Sequence, residues 1–214
     1  MLLSMSSSAA ALSEARPYHH GDLRRALLTA ARKIMEQEGQ LALSLRAVAR
    51  EAGVSPAAPY HHFRDKAELL AAVAHEGFVE MGAAMRTARD AEPADPLTAM
   101  GVAYVVFSQE NAALYRVMTE CSRVKDSFPD HEAVIQSNPN RPYELVRDAL
   151  IASGAGNADD EIGLHITTAA LYCAAHGMAE LADSDGFKPM IEAMGGKIAF
   201  YRAAFAQIGH LSGR

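Results

Sequence analysis

Apolar residues recur along the chain at intervals of three and four, and no run alternates apolar and polar with β-branched residues. This spacing predicts helices and no sheet. Over residues 22–38 the stripe is Leu23, Leu27, Ala30/Ala31 and Ile34, with Gly39 as the stop. A short helix is expected over 45–52, with Ser44 as N-cap and Gly53 beyond its end. A second is expected over 55–63, with Ser55 as N-cap and Pro56 at the first helical position, where a missing N–H is harmless. Pro59 would fall at the fourth helical position and remove only one intrahelical bond, so this segment is expected to remain helical. Asp65-Lys66-Ala67-Glu68 reads as an acidic capping box that opens a longer helix over 66–89. Its core candidates are Leu69, Val73, Phe78 and Met81. Acidic residues and Pro over 92–96 break the pattern. Further helices are predicted near 96–110, 112–121, 142–153, 159–182 and 188–208, with 128–140 unassigned. The expected fold class is all-α with about nine helices.

Composition agrees with that reading. The 214 residues are 50% hydrophobic and 21% charged, rich in Ala, without Trp and only 7% aromatic, a mixture that favours globular helical structure. No apolar run approaches the length of a membrane span. Residues 1–13 lack a basic start and a long apolar block, so a flexible arm over 1–17 is expected rather than a secretory signal. Cys121 and Cys173 are too few for a disulfide framework or a cysteine zinc site, which fits a reducing, cytoplasmic setting.

The net charge of −6 argues against a nucleic-acid partner until it is divided by position. Residues 14–70 hold nine Lys/Arg against seven Asp/Glu, and the remainder eleven against nineteen. Only the first part can tolerate a polyanion. It also contains SLRAVAREAGVSPAAPYHHF, two short helices around a Gly-containing turn, which is the pattern of a helix-turn-helix. In such a unit the second helix enters the major groove, and the N-termini at Ser44 and Ser55 can hold phosphates.

Residues 18–78 closely resemble the DNA-binding domain of the TetR/AcrR family of transcriptional regulators. The motifs that carry the resemblance are YHHGDLRRALLTAARKIMEQEG, LSLRAVAREAGVS and PYHHFRDKAELL. It implies a three-helix DNA-binding head over 18–65 and a ligand-binding, dimerising body over 66–214. Carried over residue by residue, Ser44 and Arg46 would touch phosphate or a groove edge, and Ala57 and Ala58 would start the base-facing segment. Tyr60, His61 and His62 would lie against backbone or bases, and Lys66 would clamp a phosphate. Alanine can meet only a thymine methyl, so direct base readout should be thin, with Arg46, His61 and Arg16 of the arm supplying more of it. The basic residues Arg24, Arg25, Arg32 and Lys33 read as an exposed helix face. The pairs His19-His20 and His61-His62 do not suit a metal, because neighbours on a helix point about 100° apart. No metal or cofactor is expected.

The acidic body offers Tyr104, Phe107, Tyr115 and Met118 as core or pocket residues. The helix over 159–182 is apolar nearly all round, through Ile162, Ile166, Ala169, Leu171, Cys173 and Met178, so burial on several sides is expected. Along it His165, Thr168, Tyr172 and His176 form a polar stripe whose partners could be core groups, another subunit or a ligand. Tyr172-x-x-x-His176-Gly177 resembles the Trp-x-x-x-His-Gly element of one TetR C-terminal subgroup, as does the run from Asn111 to Met118. On the last helix Ile191, Met194, Ile198, Tyr201, Phe205 and Ile208 make a stripe that demands cover. The resemblance implies that two such helices per subunit meet in a homodimer.

The expected function is a homodimeric repressor released from a near-palindromic, double-stranded operator by a small-molecule effector. Two reading segments would sit roughly 34 Å apart. An enzyme is the weaker alternative, since no phosphate loop, nucleophile elbow or paired carboxylate site is evident. An architectural DNA binder would be indifferent to sequence.

Overall fold

The computed structural model describes residues 20–123 and 141–212, and Arg16, His19 and the 128–140 stretch lie outside the described residues. Among the described residues there are nine α-helices and no strand. They are α1 (His20–Glu38), α2 (Leu45–Glu51), α3 (Lys66–Ala91), α4 (Pro96–Glu110), α5 (Ala112–Arg123), α6 (Pro142–Ala152), α7 (Glu161–Leu181), α8 (Lys188–Ala193) and α9 (Lys197–Ser212).

The head is built from short-range signals. Gly39 closes α1 at φ 83°, its N–H donating to Met35 O at 3.1 Å. The Ser44 hydroxyl caps α2 by accepting from Ala47 N at 3.1 Å. At the other end Gly53, at φ 69°, donates to Arg50 O and Val54 donates to Ala49 O. This is a Schellman closure, in which only glycine takes the left-handed position without strain. Leu27, Leu28, Ala31 and Ile34 of α1 then bury against Val48 and Phe63. Asp65 caps α3 by accepting from Glu68 N, while the Glu68 carboxylate reaches back to Arg64 N. The box closes one residue further back than the sequence pattern suggests.

Three expectations need correction. First, 55–63 is not an α-helix but two tight turns ending in a 3-10 turn, Ala58–His61. Pro59 has no N–H to give Ser55 O, so the first bond to the fourth residue back fails, while Pro56 at the first position had none to lose. Tighter bonds take over: Ala58 N to Ser55 O, Tyr60 N to Ala57 O and His62 N to Pro59 O, at 3.0, 3.2 and 2.9 Å. The N-cap position belongs to Ala57, and Ser55 takes part through its carbonyl rather than its hydroxyl. Second, 188–208 breaks at Gly195-Gly196, with φ 83° and 128°, dividing the helix into α8 and α9. Third, α7 is not covered on all sides by its own chain. Ile162 and Ile166 are 75% and 64% exposed, and Leu181, Met190, Met194 and Ile198 are exposed with them.

In the body α4 is the centre, packed against α3, α5, α6, α7 and α9 and buried on several faces through Met100, Val102, Tyr104, Val105 and Phe107. The helix α3 runs from the head into the body, facing α1 through His75, Glu76, Val79 and Glu80 and packing against α4 and α5.

Candidate nucleic-acid interface and body cavities

Pro59 and Phe63 are buried and pin the turn after α2 to the head core. Pinning them turns the residues between and before them outward. Ser55, Ala57, Tyr60 and His61 are exposed, while Ala58 and His62 are half-buried. Tyr60 keeps 53% of its surface in solvent. Arg46 and Ser44, at the start of α2, are exposed as well. The side chains of Arg46, Tyr60 and His61 have no hydrogen-bond or ionic partner among the described residues. Lys66 differs: its ammonium donates to Gln40 O at 3.0 Å, tying the start of α3 to the turn after α1. Two of its three N–H groups remain for another acceptor.

The basic face of α1 is engaged within the protein instead. Arg32 clasps Glu80 of α3 through both guanidinium nitrogens, Lys33 pairs with Glu51, and Arg24 lies over the Phe63 ring, 5.3 Å from its centroid. Arg24, Arg32, Lys33 and Glu80 line a polar crevice of about 640 Å³ between α1 and α3. Burial there pushes the Glu76 carboxyl up, against the pull of Arg32. Burial pushes the His75 imidazole down, with Arg24 adding to it, and His75 Nδ1 is buried without a partner among the described residues.

Among the described residues the body holds two cavities of about 340 and 320 Å³, called A and B, which share Tyr104 and Tyr172 as a common wall. Both sizes fall at the small end for ligand pockets. Cavity A lies among α3, α4, α6, α7 and α9, with Asp95 and Thr98 at one side and Gly101 and Phe205 on the walls. Cavity B is lined by Phe78, Tyr115, Met118, Cys173 and His176 besides the shared tyrosines. Tyr104, Tyr115 and His176 form one network in it, while the Thr119 hydroxyl on the same wall donates to Arg116 O. Tyr115 Oη is 2.8 Å from His176 Nδ1, and Tyr104 Oη is 3.3 Å from both. The rings of Tyr104 and Tyr115 meet edge to face, 6.0 Å between centroids, and Tyr104 and Tyr172 at 5.9 Å. Burial holds the Tyr104 and Tyr172 hydroxyls above the usual phenol range, so both remain protonated.

Of the pocket candidates, Tyr104, Tyr115, Met118, Tyr172 and His176 are brought together. The others are not. Thr168 is fully buried and returns its hydroxyl to Leu164 O at 2.7 Å. Phe107 is buried in the core, and His165 is exposed, its carbonyl accepting from the Tyr143 hydroxyl. The polar stripe therefore divides: Tyr172 and His176 face the cavities, Thr168 the helix itself. Cys121 is buried and its thiol pushed up to about 12, mainly by burial, which leaves it unreactive. Sequence reasoning missed the walls of cavity A. One available signal was Gly101, a glycine inside an otherwise apolar helix, where it costs about 1 kcal/mol against Ala and so points to a packing reason. A Cβ there would approach the Phe205 ring to 2.7 Å.

Comparison with known proteins matches residues 27–73 to the description "Bacterial regulatory proteins, tetR family" and residues 97–203 to "Tetracyclin repressor-like, C-terminal domain". The chain is 45% identical over 49 residues to the HTH-type transcriptional regulator BetI of Rhizobium meliloti, a match that covers 23% of this chain and 24% of that protein. It is similar along most of its length to a solved protein of unknown function from Rhodococcus sp. RHA1. That pair shares 31% identity and a TM-score of 0.64, over 92% of this chain and 98% of the other. A tetR-family regulatory protein, also from Rhodococcus RHA1, superposes with a TM-score of 0.61 at 20% identity, over 89% and 97% of the two chains, and so shares the fold.

Proposed function

The chain belongs to the tetR family of bacterial regulatory proteins, a transcriptional regulator with a helix-turn-helix DNA-binding head, and from that premise we propose that it is a homodimeric repressor whose hold on its operator is released by a small molecule bound in the body. One observation carries the DNA-binding half: Ser55, Ala57, Tyr60 and His61 are turned outward, and the side chains of Arg46, Tyr60 and His61 have no protein partner among the described residues. Polar groups held at a surface without an internal role suit contact with phosphate and base edges. In this proposal Ser44, Arg46 and Lys66 hold phosphates, Tyr60, His61 and His62 lie against backbone or bases, and Ala57 and Ala58 meet thymine methyls.

The exposed apolar surface of α7, α8 and α9, with Ile162, Ile166, Met190, Met194 and Ile198, is the support for a homodimer, because a monomer seldom leaves such a patch in water. Two heads per dimer then address two half-sites about one DNA turn apart. The effector acts through its differential affinity for the two dimer states. Cavity B supports that coupling: Phe78 on α3 lines it, and Met118 on α5 packs against Gly77 of α3, the helix that leads into the head.

Binding titrations over a salt series test the phosphate assignments. Lys66→Ala and Arg46→Ala should each weaken binding to all sequences alike and shallow the salt slope by about one. An unchanged slope in both removes them from the interface.

A further inference from the structure

Cavity B is selective by what its wall omits. Among the described residues that line it, none is Lys, Arg, Asp or Glu. Among the described residues, the one such group lining cavity A is Asp95, whose carboxylate already caps α4 by accepting from Thr98 N. An anion entering either cavity would lose its hydration without finding a cation. A cation could turn only to ring faces, and the edge-to-face contacts of Tyr104 with Tyr115 and Tyr172 occupy part of them. What remains is a neutral lining with a directed hydrogen-bonding group.

That group is His176. Its Nδ1 sits between the Tyr115 and Tyr104 hydroxyls. A phenol is the better donor and the imidazole lone pair the better acceptor, so Nδ1 accepts and the ring proton resides on Nε2. Every hydrogen bond of the His176 ring among the described residues goes through Nδ1, which leaves the Nε2–H without a protein acceptor. A half-buried donor fixed in this way, at the wall of an apolar cavity, is complementary to one acceptor on a ligand.

We infer that the effector is an uncharged, mainly apolar molecule whose carbonyl or hydroxyl oxygen is received by the Nε2–H of His176 in cavity B. The inference rests on the reading of the body as the effector-binding unit. Tyr115 is the positioning residue, since its hydroxyl sets both the tautomer and the orientation of the imidazole.

Four naphthalene probes of matched body test it on the full-length dimer by calorimetric titration: 2-acetylnaphthalene, 2-ethylnaphthalene, 2-naphthoate and trimethyl(2-naphthyl)ammonium. The ketone should bind about tenfold more tightly than the hydrocarbon, and the two ions more weakly than either. His176→Phe should erase the ketone's advantage and leave hydrocarbon binding unchanged. Tyr115→Phe, which keeps every ring in place, should cost the ketone a few-fold and the hydrocarbon nothing. An ion bound as tightly as the ketone, or a ketone advantage that survives both substitutions, overturns the inference. Absence of binding by every probe in a protein that still holds its operator also overturns it, while sparing the regulator reading. Ketone binding by a protein indifferent to DNA does the reverse.

Discussion

The head and the body bury comparable side chains but are specified differently. In the head nearly every boundary has a local cause: a left-handed glycine at Gly39 and Gly53, a hydroxyl cap at Ser44, an acidic cap at Asp65. In the body the helices are long and α4 is apolar on several faces, so their arrangement is decided by what fits against what. The head consequently presents a fixed polar surface. The body leaves cavities A and B, divided by a pair of tyrosines. A recognition surface benefits from rigidity, and an effector site needs unfilled volume.

Substitutions can break that contrast, beginning with the largest expected effect. Phe63→Ala removes the ring that anchors the reading segment and lies under Arg24, and should destabilise the head by about 3–5 kcal/mol. Chemical denaturation should then show two transitions, with DNA binding lost and dimerisation retained. A single transition would mean that head and body do not separate. In the body, Gly101→Ala places a methyl against Phe205. The overpacking should outweigh the better helix propensity for a net loss of about 1–2 kcal/mol. Operator affinity should change little, as a titration would show. Ser44→Ala deletes the cap of α2 and should cost about 1 kcal/mol, read from the denaturation midpoint, together with a loss of operator affinity that Gly101→Ala does not produce.

The smallest effect concerns pH at the crevice that joins head and body. Burial lowers the His75 imidazole below its ordinary 6.5, so below that value the unfolded chain binds more protons than the folded one. The His75 contribution is present above pH 6.5 and is lost as pH falls through the lower folded value. Glu76, raised from 4.5, acts oppositely: its contribution is present below 4.5 and is lost as pH rises through its raised value. His75→Gln should flatten the acid side of the stability profile between about pH 7 and pH 5. A profile identical to that of the unsubstituted protein would show that the crevice does not couple to folding.

The same contrast explains what was legible in the sequence. Helix-turn-helix spacing, the caps at Ser44 and Asp65 and the long α3 all follow from neighbours within four residues. The reading segment departs from its expected helix because Pro59 removes the opening bond of a segment barely two turns long, and the bonds from Ala58 to Ser55 and from Tyr60 to Ala57 replace it. The Gly195-Gly196 break was visible as a dipeptide but was overridden by an apolar stripe that continues across it; Tyr201 and Phe205 enter the core while Met194 and Ile198 stay outside. The cavities were only partly foreseen. Tyr172 and His176 announced themselves as polar residues on an apolar helix, but Thr168, on the same stripe, satisfies itself on Leu164 O. The walls supplied by Gly101, Val146 and Phe205 come from three separate helices, and no spacing within one helix reveals them.

The central claim is that an outward segment of two turns reads DNA sequence. The direct measurement is a fluorescence anisotropy competition, at physiological salt, between fragments selected by this protein from its source genome and random DNA of equal length. The account predicts that random competitor must be present at about a thousandfold excess or more before the selected fragment is displaced, and that Tyr60→Ala with His61→Ala shrinks this margin. Displacement by an equal amount of random DNA, or a margin unaffected by those substitutions, would contradict it.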